Sequence, residues 1–189
     1  MAFRIAVVGS LNVDMVTRTE KIPEGGETVT AKSFTIGWGG KGANQAVAAR
    51  RLGLETQGHH YTCDVKMVGA VGDDDFGSQI LESLKKDGID TSAIKKLKDY
   101  STGTATILVE ESTGENRILV TPGANAALTS DSEWLAKNPN ETFDGYGDIC
   151  LFQLENPLNA VLGHIRKAHE SWCKVVGYCI SNIWSVLKR

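Results

Sequence analysis

The sequence predicts an α/β fold, in which a mostly parallel, Rossmann-like sheet is flanked by helices and accompanied by a smaller β-sheet. Short continuous apolar runs that end in glycine, such as "FRIAVVG" and "KMVGAVG", are typical of strands buried on both faces of a parallel sheet. Amphipathic helical segments alternate with these runs, as in doubly wound α/β proteins. Two further segments, residues 13–36 and 103–121, alternate polar and β-branched residues, which indicates strands with one solvated face.

The first half of the chain is predicted to contain two buried strands and two helices. "FRIAVVG" ends at Gly9, and "NVDMVTR" and "ETVTAKSFTI" follow as half-exposed strands. A short helix is predicted at residues 46–52, because Gly53 is a natural terminator. After "KMVGAVG" a second helix stops at Gly88, and its apolar face consists of Phe76, Ile80, Leu81 and Leu84.

The second half begins with a hairpin and then returns to buried strands. "TGTATILVEESTGENRILVT" alternates as two antiparallel strands do, with its turn near Thr113 and Gly114. "DICLFQLE" predicts a buried strand, and the apolar face of the next helix consists of Leu158, Val161, Leu162 and Ile165. "CKVVGYCI" is the last strand-like run. It is apolar and almost uncharged, so we expect an aggregation-prone sheet edge there.

Length and composition are those of one globular domain. The chain has 189 residues, of which 41% are hydrophobic and 23% are charged. A formal net charge of −3 gives no reason to expect nucleic acid or an anionic membrane as a partner. The four cysteines form no CxxC pair, and no apolar stretch has the length of a signal peptide or membrane span. We therefore expect a cytoplasmic domain with reduced cysteines.

The stretch "IGWGGKGANQAVAARRLG" places four glycines directly before a helix. A P-loop is excluded, because Gly42 follows Lys41 where Ser or Thr is required, and Thr35 stands at the upstream glycine position. The dinucleotide fingerprint G-x-G-x-x-G matches Gly37, Gly39 and Gly42, but alone it is a weak signal. It should follow the first buried strand, whereas here it follows a half-exposed one. The stretch therefore favours a different kind of ligand.

Polar residues from three segments are expected to meet at one edge of the sheet. They are Asn12 and Asp14 after the first strand, Lys41 and Asn44 near the helix start, and Glu155 at the end of "DICLFQLE". Free backbone N–H groups at the helix start would add further donors. This set suits a polyol, because a carboxylate can accept hydrogen bonds from adjacent hydroxyls. Alternatively, Asn12 and Asp14 form a turn, and Glu155 together with Asn156 and Pro157 caps the following helix.

Several of these segments together resemble a known family. "VVGSLNVDMV", "PEGGETVTA", "GWGGKGANQAVAARRLG", "VGAVGDDDFG", "STGTATILVEESTGENRILVTPGANAALT" and "LFQLENP" resemble, in this order, the ribokinase-like carbohydrate kinase family. The likeness covers roughly residues 3–176. In that family the half-exposed strands form a β lid over the sugar, and the lids of two subunits often clasp into a homodimer.

The resemblance implies an activity and a set of ligands. The family transfers the γ-phosphoryl group of ATP to O5 of D-ribose, with Mg²⁺ and a monovalent cation (K⁺) as cofactors. The residues of this chain that match its sugar-binding positions are Asn12, Asp14, Gly39, Gly40, Lys41, Asn44 and Glu155. Two alternative interpretations are another sugar or nucleoside kinase of this family, and a non-catalytic fragment that binds sugar or dimerises through its lid.

The chain departs from the family at its C-terminal end. The family's GAGD motif, with the catalytic aspartate, lies in a C-terminal nucleotide-binding half that has no counterpart here. The sequence "GYGD" at residues 145–148 opens a buried strand rather than a helix, so we interpret it as a turn. We therefore expect a truncated domain (residues 1–176) with an atypical tail (177–189), no catalytic residue, nucleotide and cation sites mostly absent, and no activity alone.

A second departure lies between Gly53 and Gly72. The surplus there is "GHHYTCDVK", residues 58–66, which predicts an extra surface loop. One hypothesis is a metal site formed by His59, His60, Cys63 and Asp64. Adjacent histidines rarely ligate one ion together, which favours a solvated loop without metal.

Overall fold

The computed structural model describes residues 2–53, 62–131 and 145–177. Three helices, α1 (Lys41–Leu52), α2 (Asp75–Lys86) and α3 (Leu158–Glu170), alternate with strands, and a short 3₁₀ helix spans Gly123–Ala127. In chain order the strands are β1 (Ala2–Val8), β2 (Asn12–Thr19), β3 (Ser33–Gly39), β4 (Thr62–Gly72), β5 (Ile94–Leu97), β6 (Gly103–Glu110), β7 (Asn116–Thr121), β8 (Ile149–Phe152) and β9 (Lys174–Gly177).

Five strands form the main sheet, in the order β5–β4–β1–β8–β9. Every neighbouring pair is parallel, so all carboxyl ends lie at one edge. The central strand β1 is paired on both sides over Ile5 to Val8, which are largely or fully buried. This arrangement confirms the α/β fold class and the buried-strand interpretation of "FRIAVVG" and "KMVGAVG".

Helices cover both faces of the main sheet, because alternate residues of a strand point to opposite sides. On one face Val7 packs in a cluster with Ala46 of α1 and Ile80 of α2. On the other face Val8 packs in a cluster with Val161 of α3. A fully buried valine or isoleucine side chain stabilises the fold by about 1.5–3 kcal/mol relative to an exposed one. The two apolar clusters hold the main sheet as a rigid platform.

The small sheet has the order β3–β2–β6–β7 and is built from two separate parts of the chain. β2–β3 and β6–β7 are antiparallel pairs, and the parallel β2–β6 pair joins them. Gly114 has a φ of 74° in the turn before β7, which confirms the predicted hairpin. Both parts begin beyond the carboxyl edge of the main sheet, after β1 and after β5, so the small sheet stands over that edge.

Two predicted boundaries are wrong around the glycine-rich stretch. Helix α1 begins at Lys41 and not at residue 46, because Gly42 fits where a larger residue would strike the neighbouring backbone. Strand β3 covers Ser33–Gly39 rather than residues 27–36. The glycines at its end pair with β2, where Gly39 is opposite Asn12.

The prediction of an extra loop at residues 58–66 is wrong for residues 62–66. Residues 62–66 form the beginning of β4 and pair with β1, where Cys63 is opposite Phe3. Val65 and Lys66 are buried, so this part is structural. Residues 58–61, which include His59 and His60, lie outside the described residues, as does the predicted tail after Gly177.

The last described strand, β9, lies at an edge of the main sheet, as predicted for this run. Its Val175 and Val176 are exposed. None of the helices in the described ranges is long and apolar enough to cross a bilayer. Residues 145–148 form a turn before β8, which confirms that interpretation of "GYGD".

Asp74 joins helix α2 to the start of the small sheet. As N-cap of α2, its Oδ1 accepts from the Gly77 N–H at 2.8 Å and from Thr102 Oγ1 at 2.6 Å. Its Oδ2 accepts from the Thr102 N–H at 2.8 Å. Burial raises the pKa of Asp74, but the hydrogen bonds from Thr102 and Gly77 lower it more, so the pKa lies below its usual value.

We expect Asp74→Ala to destabilise the protein by about 1–2 kcal/mol at pH 7, since the helix loses its N-cap. A carboxyl whose pKa is lower in the folded state stabilises the fold above its unfolded pKa, which is about 4. That contribution disappears as the pH falls through the lower, folded pKa. Thermal melts of both proteins should therefore differ at pH 7 and converge below pH ~4.

The matched control is Asp75→Ala, which removes an exposed carboxylate from the first turn of the same helix. It should change the melting temperature much less than Asp74→Ala. Equal losses in the two variants, or a difference that is independent of pH, would contradict the role of Asp74.

Candidate functional site

The connection between β1 and β2 lies directly against the first turn of α1, and glycines permit the contact. The Ala43 N–H donates to the Ser10 carbonyl at 3.0 Å. A Cβ on Gly42 would lie 2.6 Å from Ser10 N and 2.7 Å from the Gly9 carbonyl carbon. Gly40 has a φ of 94°, and a Cβ there would lie 2.7 Å from the Ser10 oxygen. Neither glycine can be replaced without moving backbone.

Glu155 lies beyond the end of β8 and closes the N-terminus of α1. Its Oε2 accepts from Ser10 Oγ at 2.6 Å and from the Lys41 N–H at 3.1 Å. Its Oε1 lies 3.1 Å from Lys41 Nζ. Burial raises the pKa of Glu155, but the hydrogen bonds from Ser10 and Lys41 and the Lys41 charge lower it more. The net pKa is below its usual value, so Glu155 is a fixed negative charge.

The first turn of α1 has no backbone N–H free for a ligand, contrary to the prediction. Its first three N–H groups donate to Ser10 and Glu155, and the fourth donates to the Gly40 carbonyl at 2.9 Å. The Glu155 carboxylate takes the place that a bound anion or hydroxyl would occupy at a helix start. The helix start therefore presents side chains to solvent, those of Lys41 and Asn44, which are both exposed.

Asp14 supplies a second carboxylate, on β2. It lies across the strand pair from β3, where a Cβ on Gly39 would collide with its carboxylate. Asp14 is half-buried, and no hydrogen bond from the described part of the chain engages its carboxylate. Burial raises the pKa of Asp14, and the negative charge of Glu155 raises it further. Asp14 is therefore an acceptor without a protein donor among the described residues.

Asn12 is held in place by a residue that the sequence analysis did not select. Asn12 is 5% exposed, and its Oδ1 accepts from Asn125 Nδ2 at 2.8 Å. Asn125 lies in the short 3₁₀ helix and is itself buried. Its Oδ1 accepts from the Leu11 N–H at 2.9 Å, so it also holds the β1–β2 connection.

The structure places all seven predicted residues at the carboxyl edge of the main sheet: Asn12, Asp14, Gly39, Gly40, Lys41, Asn44 and Glu155. The alternative interpretations of the polar residues are wrong. Asn12 and Asp14 belong to a strand and not to a turn. Glu155 does not cap α3, whose N-cap is Pro157, but binds the start of α1.

Two further residues complete the site. Ser10 links Glu155 to α1, and Asn125 orders Asn12. Both lie inside segments on which the family resemblance rests, "VVGSLNVDMV" and "TPGANAALT", but single small polar residues carry no signal of burial. The only sequence feature that could have pointed to Ser10 is its position directly after the glycine that ends the first strand.

Asp148, the aspartate of "GYGD", lies at the opposite edge of the main sheet. It precedes β8 and binds Arg4 near the start of β1, with Arg4 Nη2 2.8 Å from its Oδ1. The hydrogen bonds from Arg4 lower the pKa of this carboxyl. Asp148 cannot act on a ligand bound beside Glu155.

Comparisons with known proteins identify the family. The pfkB family of carbohydrate kinases matches residues 2–185. A ribokinase of Schizosaccharomyces pombe is 44% identical over 168 residues, which are 88% of this chain and 50% of that protein. A ribokinase of Bacillus subtilis is 45% identical over 157 residues, 83% of this chain and 48% of that protein.

Among solved structures, an Arabidopsis thaliana ribokinase complexed with ribose and ATP has a TM-score of 0.75 and 28% identity. The match covers 94% of this chain and 53% of that one. The chain thus spans about half the length of the curated relatives it matches. The family match over residues 2–185 and the 44% identity to a ribokinase over 88% of the chain show that this chain belongs to the pfkB family of carbohydrate kinases.

Proposed function

We propose that this chain is the sugar-binding part of a ribokinase, the enzyme that transfers the γ-phosphoryl group of ATP to O5 of D-ribose. The observation that carries the proposal is the pair of carboxylates, Asp14 and Glu155, whose charges interact at the edge covered by the small sheet. Lys41 and Asn44 add exposed donors to this edge. Relatives 44% and 45% identical to the chain are ribokinases.

The chemistry of these groups fits a sugar rather than an anion. Asp14 keeps its acceptor capacity, since no described residue donates to it. Two adjacent hydroxyls can donate to one carboxylate through charge-assisted hydrogen bonds. The Lys41 ammonium is already paired with Glu155, so it does not form a strong anion site. Gly39 and Gly40 contribute by leaving space, because side chains there would collide with Asp14 and Ser10.

ATP, Mg²⁺ and K⁺ belong to the proposal as co-substrate and cofactors of the family's reaction. No group of three acidic, histidine or cysteine residues that could hold a metal ion occurs in the described ranges. The "GYGD" aspartate, Asp148, lies at the opposite sheet edge beside Arg4. We therefore assign to this chain the holding of the sugar and no phosphoryl-transfer step.

The small sheet is proposed to act as a lid over the sugar and as the contact of a cytoplasmic homodimer. Its support is the exposure of two large apolar side chains of β7, Ile118 and Val120, which an isolated sheet would not favour. Ile118 and Val120 share a face with Asp14 and Val16 through the strand register. Leu119 is on the opposite face of β7.

We expect Asp14→Ala to weaken ribose binding by about 2–4 kcal/mol, because a carboxylate that accepts from two hydroxyls is removed. This corresponds to roughly a 30- to 700-fold higher Kd in isothermal titration calorimetry. Equal affinity of the variant and the unmutated chain would disprove the assignment of Asp14.

The matched control is Asp14→Asn, which keeps the shape but removes the charge. Since the pKa of Asp14 is raised, its charged form is lost at higher pH than that of an ordinary aspartate. Ribose affinity of the unmutated chain should therefore fall as the pH is lowered toward the usual value of about 4. The part of this decline that comes from protonation of Asp14 should be absent in Asp14→Asn, because the variant has no carboxyl at this position.

The lid-mediated dimer is tested at two neighbouring positions of β7. Ile118→Lys should dissociate the dimer, because it places a charge on the face that is continuous with the sugar site. Leu119→Lys places the same charge on the other face and should leave the dimer intact. Sedimentation velocity measures both, and dissociation by Leu119→Lys alone would assign the contact to the other face.

We expect this polypeptide alone to give no measurable ribose phosphorylation. Loss of a catalytic base alone costs about 10²- to 10⁴-fold in rate, and positioning of the γ-phosphate would be missing as well. An assay that couples ADP release to ribose addition measures this, with a full-length ribokinase as positive control. Turnover that Asp14→Ala abolishes would show that the chain does contain a catalytic base.

A further inference from the structure

We propose that Asn125 is a positioning residue that fixes which end of the Asn12 amide faces the sugar. In this arrangement Asn12 presents its Nδ2 hydrogens, so it donates to a sugar oxygen while Asp14 accepts from sugar hydroxyls. The inference rests on the proposed function, because it assumes that the ligand at this edge is a sugar. Its basis is a hydrogen-bond network in which backbone groups determine which side-chain atoms donate and which accept.

The orientation of the Asn125 side chain is determined by backbone groups of fixed polarity. The Leu11 N–H can only donate, and it donates to Asn125 Oδ1 at 2.9 Å. The carbonyl oxygens of Leu11 and Pro122 can only accept, and each lies 3.0 Å from Asn125 Nδ2. Exchanging the oxygen and nitrogen of Asn125 would therefore break all three hydrogen bonds.

The orientation of the Asn125 amide determines the orientation of the Asn12 amide through one hydrogen bond. Asn125 Nδ2 also lies 2.8 Å from Asn12, and its two hydrogens are shared between this contact and the two backbone carbonyls. An amide nitrogen cannot accept a hydrogen bond, so Asn12 must present its oxygen there. An Asn12 amide turned the other way would set two NH₂ groups against each other in a buried place, which costs the hydrogen bond and adds repulsion. The Nδ2 of Asn12 then points away from Asn125, and no described residue accepts from it.

Gly103 supports the same conclusion independently. It begins β6 and pairs with Asn12 in the strand register. A Cβ at this position would collide with both Asn125 Nδ2 and Asn12 Oδ1. The φ of Gly103 is not positive, so the backbone conformation does not require glycine. The space that a methyl group would fill is occupied by the Asn12–Asn125 hydrogen bond.

Asn125 is also fixed from its other side. Asn156 Nδ2 donates to the Asn125 carbonyl at 3.1 Å, and Asn156 directly follows Glu155. The 3₁₀ helix, the β1–β2 connection and the segment after β8 thus share one network. A sugar would meet donors and acceptors that are set before it binds, which reduces the cost of ordering on binding.

The experiment is a double-mutant cycle on ribose affinity, measured by calorimetry with the full 189-residue chain. Asn125→Asp keeps the size but cannot donate, so Asn12 turns its NH₂ toward residue 125 and loses its donor to the sugar. We expect a Kd at least tenfold higher. In the Asn12→Ala background the same change should raise Kd by a clearly smaller factor, because the part of the effect that acts through Asn12 is absent there.

The matched control is Asn116→Asp, which adds the same charge at an exposed position of β7 and should leave Kd unchanged. Gly103→Ala should reproduce the loss of affinity while both asparagines are kept, because its Cβ would displace Asn125 Nδ2 and Asn12 Oδ1 from their hydrogen bond. A purely structural role of Asn125 would reduce affinity equally in the Asn12→Ala background. That result, or an unchanged Kd in Asn125→Asp, overturns the proposal.

A ligand-free measurement separates this inference from the proposed function. In ¹⁵N,¹³C-labelled unmutated chain, scalar coupling across the hydrogen bond from Asn125 Nδ2 to Asn12 Oδ1 reports the amide orientation. If the unmutated chain fails to bind ribose but shows this coupling, the proposed function is overturned and the orientation stands. If the coupling is absent, the positioning role is overturned, whether or not ribose binds.

Discussion

The contact between the β1–β2 connection and the first turn of α1 is the constraint on which the site and the small sheet both depend. The chain must leave β1, pass the helix start and enter β2 within three residues. This is possible because Gly40 and Gly42 let the two backbones approach to a distance that a Cβ would prevent. The same close approach places Ser10 within reach of Glu155 and orients the start of β2.

The electrostatics of the site follow from this packing. Glu155 is held against the positive end of the α1 dipole and beside Lys41, so it remains charged. Asp14 has no such support and is influenced by the neighbouring Glu155 charge. Two carboxylates close together therefore have different environments, one compensated inside the protein and one left for a ligand. Such a difference in environment is typical of sites where two neighbouring carboxylates have different chemical roles.

The sequence predicted those parts of the fold that depend on local pattern. The buried strands, the turn at Gly114 and the position of Asp148 before β8 follow from apolar runs and glycine. The start of α1 did not, because glycine has poor helix propensity and only the neighbouring Ser10 backbone shows why it is needed. The loop at residues 58–66 was misplaced because spacing alone does not show where a strand begins.

The sequence predicted the charged members of the candidate site, but two of its buried polar members, Ser10 and Asn125, were missed. Asp14, Lys41 and Glu155 stand out because charges at strand ends suggest ligands. Asn125 sits between alanines in a short 3₁₀ helix, and nothing in its neighbours distinguishes it from an exposed turn residue. Its importance comes from contacts with Leu11 and Asn12, which are distant in sequence.

The way the small sheet is assembled has a consequence for how the protein folds. Its central pair, β2 and β6, joins Asn12 to Gly103, so β4, α2 and β5 all lie between the paired strands. Closing such a long loop is entropically costly until the intervening segments are compact. The main sheet should therefore form first, and the small sheet should close over it late. A newly synthesised chain would expose Val13 of β2 and Ala105 of β6, which are buried in the folded protein, during that interval. Transiently exposed apolar strands of this kind are sites where chaperones bind.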